Sequence, residues 1–193
     1  MFRMLCSLLL YVYGLFQNLF PCSAPQLLSV HHLNTQQYLG TWYFIAAAGS
    51  RPSDLEQFTS SDSTVFVLQE ATKNSTHLLT GAIRIGDSCL SNAWTYHITP
   101  DKDYLDLEGR PNRRTVLWNG LWLNCPDCIL LEETDLGEIK DGINRVMLYA
   151  RNGSLSTSVV KNFQAKMSCL GMIEFYSLPQ EREYCQYDGM ASD

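Results

Sequence analysis

Glu133 and Arg145 are charged residues that each stand at one end of an apolar run in the C-terminal half of the chain. Side chains of an extended strand alternate between its two faces, so Glu133 shares a face with Leu131, and Arg145 shares one with Tyr149. A buried charge is costly unless it meets another charge or a charged group of a ligand. The pattern therefore predicts recognition of a charged group beside an apolar surface. The alternative is that Glu133 and Arg145 pair with each other in water at the strand ends.

An aromatic face in the middle of the chain extends this candidate site. Asn92, Trp94 and Tyr96 alternate along one predicted strand and therefore share a face. Arg110 follows the next strand and can lie near the same edge of the sheet. If these faces point inward, an apolar and aromatic wall is edged by guanidinium groups and one carboxylate. Such a wall suits an amphipathic lipid that carries both an anionic and a cationic group.

Short apolar runs separated by turn residues make up the chain from residue 62 to residue 150. Their regular spacing, with Gly, Pro, Asn and Asp between them, is typical of antiparallel strands in a sandwich or a barrel. Together with a first strand at residues 40–48, they make eight predicted strands. The other seven lie at residues 65–68, 77–85, 94–98, 104–107, 115–118, 129–131 and 145–149.

A helical pattern follows the eighth strand. Its apolar residues recur at intervals of four, four and three, which is the spacing of one face of an α-helix. They are Val159, Phe163, Met167 and Leu170. Gly171 can end this helix, and a short strand is predicted at residues 174–178. We expect the helix to lie against the outside of the strands.

The composition is that of one globular domain, since 46% of the 193 residues are hydrophobic and 18% are charged. The formal net charge of −6 argues against general nucleic-acid binding, which requires a basic face. The four histidines show no metal-ligand spacing. We therefore expect neither a metal nor a cofactor.

The first twenty residues have the pattern of a secretory targeting segment. Arg3 is their only charge, and the apolar residues 4–20 would reach roughly 26 Å as a helix, just short of a bilayer span. The nearest small-x-small cleavage site is at residues 22–24, but Pro25 follows it and cleavage there would remove Cys22. We therefore predict a segment 1–21, retained as an apolar anchor, and a domain 22–193. Removal of the segment at another site is the alternative.

Six cysteines follow this segment, and an even number in a secreted chain indicates disulfides, with fifteen possible pairings. A seventh, Cys6, lies within the segment. Cys125 and Cys128 could form a redox pair, half of a zinc site or a tight-loop disulfide. The structural disulfide is favoured, because no second close pair completes a zinc site and the flanks look like strands rather than a helix start.

Two N-glycosylation sequons begin at Asn74 and Asn152. Each lies between apolar runs, where a surface turn is expected, so both fit glycosylation in the secretory pathway.

The first predicted strand opens with Gly40-Thr41-Trp42-Tyr43. An inward tryptophan there can plug the end of a barrel and bury roughly 150–250 Å², while Gly40 allows close packing because it lacks a Cβ. Followed by seven strands and one helix, the motif resembles that of the lipocalins. The resemblance implies an all-β fold: an eight-stranded antiparallel up-and-down barrel with one C-terminal α-helix packed on the outside. It also implies that Arg151 stacks on Trp42, whereas the alternative is a solvated turn residue.

Over nearly the whole chain, the sequence is similar to the apolipoprotein M family of vertebrate lipocalins. The matching runs are residues 39–46, 94–97, 108–111 and 148–149 with Arg151, and five cysteines also match. This family binds sphingosine-1-phosphate and associates with high-density lipoprotein through an uncleaved signal peptide. The resemblance implies a secreted, monomeric lipid carrier of plasma lipoprotein that is not an enzyme.

The resemblance also implies roles for individual residues. Trp94 and Arg110 would hold the phosphate with help from Arg145, Glu133 would face the ammonium, and two tyrosines would reach other polar groups of the head. The implied ligand-binding residues are Trp94, Tyr96, Arg110, Glu133, Arg145 and Tyr149.

Two features depart from the family pattern. Asn92 stands where the family has a further phosphate-binding arginine, so either the phosphate site is weaker or Arg113 or Arg114 substitutes. The family's cysteine before the helix is missing, and Cys128 is additional. The resemblance implies the disulfides Cys22–Cys169 and Cys89–Cys185, while Cys125–Cys128 is inferred from its spacing.

Three other functions are considered. The runner-up is a carrier of retinoid or fatty acid without phosphate specificity. An enzyme with a thiol inside the barrel would need Cys89, Cys125 or Cys128 to be free and ionisable, and all three are expected to be oxidised. A surface protein with a filled barrel would carry no ligand at all.

Overall fold

The computed structural model describes residues 22–23, 25–30, 35–70, 76–136, 142–179 and 183–186. The predicted anchor segment 1–21 and the sequon at Asn74 lie outside these residues. The strands are β1 Gly40–Gly49, β2 Ser63–Glu70, β3 Thr76–Ile85, β4 Ser88–Ile98, β5 Leu105–Leu107, β6 Arg110–Asn119, β7 Cys128–Asp135, β8 Asn144–Ala150 and β9 Glu174–Ser177. The α-helices are α1 Thr35–Tyr38 and α2 Thr157–Cys169. Within the described ranges, no helix is both long and apolar enough to cross a membrane.

Strands β1 to β8 form a closed antiparallel barrel. Each strand from β2 to β7 pairs with the next in sequence, and β1 closes the barrel by pairing with both β8 and β2. The strand β9 pairs with the second half of β1. The eight-stranded barrel predicted from the sequence is confirmed.

The register defines two ends of the barrel. The start of β1 and the helix α1 lie at one end, together with the end of β6 at Asn119; we call this the closed end. The start of β6 at Arg110 lies at the opposite end, together with the end of β7 and the start of β8. We call this end the mouth. In β7 and β8, Glu133 stands directly opposite Arg145 near the mouth.

Strand alternation divides the apolar side chains into an inner and an outer cluster. Phe44 and Met147 belong to the cluster inside the barrel, whereas Leu148 belongs to the outer cluster. The helix α2 covers the outer cluster with Phe163 and Met167, both of which are fully buried. The predicted amphipathic helix on the outside of the barrel is therefore confirmed.

All three predicted disulfides are present. The bonds are Cys22–Cys169, Cys89–Cys185 and Cys125–Cys128, with Cα atoms 5.8, 5.9 and 5.3 Å apart. The first joins the N-terminal segment to the end of α2, and the third closes the connection between β6 and β7. Gly120 is needed in that connection, because a Cβ there would overlap the carbonyl oxygens of Cys125 and Cys128.

Candidate functional site

Trp42 plugs the closed end of the barrel. Its indole is 6% exposed and its Nε1 donates to the Tyr38 carbonyl at 2.8 Å. The guanidinium carbon of Arg151 lies 3.8 Å from the ring centroid, and the same group donates to the Thr41 carbonyl at 2.8 Å. The predicted stacking is confirmed, and such a contact contributes about 0.5–2 kcal/mol. Gly40 is needed because its φ is +91°, a conformation that other residues rarely adopt.

A cavity of about 400 Å³ opens at the mouth, within the usual range for small-molecule sites. All six side chains that the sequence assigned to ligand binding line it. They are Trp94, Tyr96, Arg110, Glu133, Arg145 and Tyr149. The period-two alternation of β4, β7 and β8 explains this convergence, since each strand turns the predicted face inward. The roles of the individual side chains toward a ligand remain predictions.

Glu133 and Arg145 form a buried ion pair in the wall of this cavity. The Glu133 Oε2 atom accepts from Arg145 Nε at 2.8 Å and from Arg145 Nη2 at 2.5 Å. Arg113 Nη1 lies 3.5 Å from the same oxygen. Glu133 and Arg145 are each only 5% exposed, so the two residues pair as the alternative expected, but inside the barrel rather than in surrounding water.

Arg113 also binds Asp135, through an Nε–Oδ1 contact of 2.5 Å. Burial would lower the pKa of Arg113, but the bond to Asp135 and the charge of Glu133 outweigh it and raise that pKa. Burial would raise the pKa of Asp135, but hydrogen bonds from Arg113 and from the Ile143 amide lower it. Both groups therefore stay charged at neutral pH.

The structure decides which arginine is near Asn92. Arg113 is buried and lines the mouth cavity together with Asn92. Arg114 points to the outside of the barrel, where its guanidinium lies 5.4 Å from the Tyr104 ring and 3.6 Å from an Asp103 oxygen. Of the two arginines that the sequence left open, only Arg113 lines the cavity.

Arg110 is the exposed cation of the cavity. It makes no ion pair with any residue in the described part of the chain. The mouth therefore has three guanidinium groups, from Arg110, Arg113 and Arg145. Two carboxylates, those of Glu133 and Asp135, balance two of these charges. These charges sum to one positive charge in excess, and Asp54 nearby is balanced by Arg51.

Tyr96 and Tyr149 contribute neutral hydroxyl groups to the cavity. Burial, followed by the nearby charge of Glu133, raises the pKa of both phenols. The Tyr149 ring also packs edge-on against Phe66, with the centroids 5.3 Å apart. These rings separate the mouth cavity from a smaller space below.

This lower space is an apolar chamber of about 60 Å³ at the closed end. Trp42, Leu117 and Ile129 are among its lining residues, as is His77. His77 is 6% exposed, and burial lowers its pKa, although the charge of Glu70 opposes the shift. The chamber and the mouth cavity share Phe66 as a lining residue, so the interior of the barrel is polar at the mouth and apolar at its floor.

Sequence reasoning missed two carboxylates at the mouth. Asp135 continues the inward face of β7 by one step beyond Glu133, so alternation alone was enough to identify it. Asp54 lies in the turn that precedes β2, is 1% exposed, and binds Arg51 at 2.9 Å. No periodicity extends into that turn, which leaves Asp54 without a sequence signal.

The closed barrel, the external helix and the single bore with a plugged floor define a lipocalin. Two siderocalins among solved structures share the fold. One is Ex-FABP, with a TM-score of 0.59 and 13% identity, covering 76% of this chain and 96% of that one. The second has a TM-score of 0.60 and 16% identity, and covers 80% and 96% of the two chains.

The particular family follows from the sequence comparisons. The ApoM domain matches residues 1–189. Apolipoprotein M of Rattus norvegicus and that of Mus musculus are each 32% identical to this chain, over 96% of it and 97% of the relative. The chain therefore belongs to the ApoM family, and it is a lipid-binding carrier.

Proposed function

We propose that the protein is a secreted carrier of sphingosine-1-phosphate that associates with high-density lipoprotein. The observation that carries the proposal is the mouth cavity, which places three guanidinium groups and one accessible carboxylate above an apolar floor. A lipid with a phosphate, an ammonium and a long hydrocarbon tail matches those three features in order.

The phosphate is assigned to the arginines. Arg110 is exposed and makes no ion pair among the described residues, so its guanidinium group can bind an anion without breaking an ion pair. Arg113 lines the same cavity and offers the second guanidinium near Asn92. The excess positive charge of the cavity favours an anionic head group over a neutral one.

The ammonium is assigned to Glu133. All three contacts from Arg113 and Arg145 go to its Oε2 atom. A carboxylate offers acceptor sites on both oxygens, so Oε1 can accept from an ammonium while the ion pair stays in place.

The tail is assigned to the lower part of the bore. Phe66 and Tyr149 line both the mouth cavity and the chamber below it, and the chamber is lined by apolar groups such as Leu117 and Ile129. Burying each methylene of a tail there contributes about 0.8 kcal/mol. The proposal extends to secretion, to a monomeric state, to a lack of catalytic activity and to glycosylation at Asn152, which is exposed after β8.

The head-group assignment is tested by titrating the purified protein with sphingosine-1-phosphate and following tryptophan fluorescence. We expect Arg110→Ala to weaken binding about tenfold or more, since a hydrogen bond to a charged group contributes about 1.5–3 kcal/mol. Arg114→Ala is the matched control, because Arg114 lies four residues away on the outer face. Unphosphorylated sphingosine should bind both variants equally.

Unchanged affinity in Arg110→Ala would refute the phosphate assignment. The apolar lining of the lower chamber favours a second candidate, a carrier of retinoid or fatty acid. Retinol that binds as tightly as sphingosine-1-phosphate, and indifferently to Arg110, would support that candidate instead. Counting free thiols in the native protein bears on enzyme activity, since all six cysteines of the domain are in disulfides here.

A further inference from the structure

Exposed apolar side chains surround the point at which the N-terminal segment joins the barrel. Leu27 is 50% exposed, Leu121 is 59% exposed and Leu170 is 37% exposed. Trp122 and Lys166 lie between them on the same side of the molecule. We call these five residues the anchor face.

Contacts link three residues of the anchor face, Leu27, Trp122 and Lys166. Leu27 pairs with Trp118, whose ring packs edge-on against Trp122 with the centroids 5.9 Å apart. The ammonium of Lys166 lies 4.6 Å from the Trp122 ring and donates to the Trp122 carbonyl. Leu121 and Leu170 adjoin this group along the chain.

Cys22 is held beside this face. Its disulfide to Cys169 places it at the end of α2, directly before Leu170. The carbonyl of the next residue, Ser23, accepts a hydrogen bond of 3.0 Å from Trp122 Nε1. Chain that precedes Cys22 therefore leaves the domain from the anchor face.

The sequence of that preceding chain is apolar, with Arg3 as the only charge in residues 1–21. If it inserts into a phospholipid surface, the domain is held with Cys22 at the surface. Residues beside Cys22 then contact the lipid first. Exposed leucines favour the boundary between head groups and acyl chains, and tryptophan and lysine favour the head-group level.

The anchor face also fixes which way the mouth points. It includes the connection after Asn119, which ends β6 at the closed end, whereas Arg110 starts β6 at the mouth. Contact through this face therefore turns the mouth away from the lipid surface and toward water.

We propose that the anchor face docks on a phospholipid monolayer, with Leu27 and Leu121 inserted and the mouth facing solvent. This inference rests on the proposed retention of segment 1–21. It implies that cargo enters and leaves the barrel through water rather than by lateral transfer from the lipoprotein surface.

The test uses the full chain and phosphatidylcholine vesicles. We expect Leu27→Glu combined with Leu121→Glu to weaken vesicle partitioning about tenfold or more, because each charge is placed at an apolar contact. The matched control is Ile85→Glu combined with Leu90→Glu at the β3–β4 hairpin of the mouth end, where Leu90 is 54% exposed. This control should partition like the unmodified chain.

A second measurement begins with the unmodified chain. Brominated phosphatidylcholine should quench the fluorescence of the unmodified chain, and Trp122→Phe should remove most of that quenching. Trp94→Phe, which removes a tryptophan from the mouth cavity, should leave the absolute loss of fluorescence on quenching unchanged.

The possible failures are distinguishable. A full chain that does not bind vesicles refutes the retained anchor, and the docking face with it. Vesicle binding that is insensitive to Leu27 and Leu121, or that is lost in the Leu90 control, refutes the docking face and leaves the anchor in place.

Discussion

Replacing Glu133 by glutamine tests the ion pair on which the mouth cavity depends. Glu133→Gln keeps the size and planarity of the side chain but removes its charge. Arg145 then loses its 2.5 and 2.8 Å contacts to a carboxylate. Arg113 keeps its partner Asp135 at 2.5 Å, so the change leaves one guanidinium unpaired rather than two.

The expected cost follows from what remains around Arg145. Breaking one side of a fully buried pair costs about 3–5 kcal/mol. Arg145 retains a 3.3 Å bond to the Asp54 carbonyl and a stacked Phe58 ring at 5.0 Å, and water can enter the cavity beside it. We therefore expect the low end, about 3 kcal/mol, which corresponds to a fall in Tm of roughly 6–12 °C for a domain of this size.

The assay is thermal unfolding with and without sphingosine-1-phosphate. Glu132→Gln is the control, since Glu132 directly precedes Glu133 in β7, points outward and is only half-buried. Its loss should cost less than about 1 kcal/mol. In Glu133→Gln, the phosphate lipid should restore more of the lost Tm than unphosphorylated sphingosine does, because Arg145 then lacks a carboxylate partner.

A Tm of Glu133→Gln within the range of the Glu132→Gln control would refute the argument. It would mean that solvent in the cavity already screens Arg145 from Glu133. Equal rescue by both lipids would instead refute the assignment of the phosphate to the arginine cluster.

Three further perturbations test other parts of the structure. Arg151→Lys should lower the stability by about 1–2 kcal/mol in urea unfolding, because lysine cannot both stack on Trp42 and donate to two carbonyls; an unchanged midpoint would contradict this. Replacing Cys89 and Cys185 by serine opens a loop of 96 residues, and we expect a loss of up to about 5 kcal/mol. Burial lowers the pKa of His77 in the folded state, so the unfolded state binds more protons below about pH 6.5. The Tm of the unmodified chain should thus fall more than that of His77→Gln between about pH 7.5 and pH 5.5.

The strands that could be predicted from the sequence are those with one buried face. β7 and β8 alternate between the cavity and the outer cluster, so their apolar period marks both position and orientation. β4 shows where this signal ends, because the structure starts it at Ser88, six residues before the predicted start at Trp94. Its first six residues are exposed on both faces and mix polar with apolar side chains, so they show no alternation that marks a strand.

The site was predictable to the extent that it lies on those strands. The alternation of side chains along each strand identified the inward direction of Glu133 and Arg145. It could not show that the two residues stand opposite each other, because that depends on the register between β7 and β8. The same limit applies to Arg113, which stands opposite Asp135 only because of the register between β6 and β7. Asp54 lies in a turn, where contacts are set by the closed barrel rather than by local pattern.

The buried charges at the mouth are better explained by a ligand than by stability. A buried ion pair is often no more stable than apolar residues of the same volume, and the rest of the bore shows that this barrel can be lined by such residues. The charges are confined to the mouth, where they surround a cavity that a head group can enter. Glu133 holds Arg145 in place through one oxygen, so the geometry of the pair is fixed without a ligand. Arg110, which no described residue binds, supplies the charge that such a preorganised site still lacks.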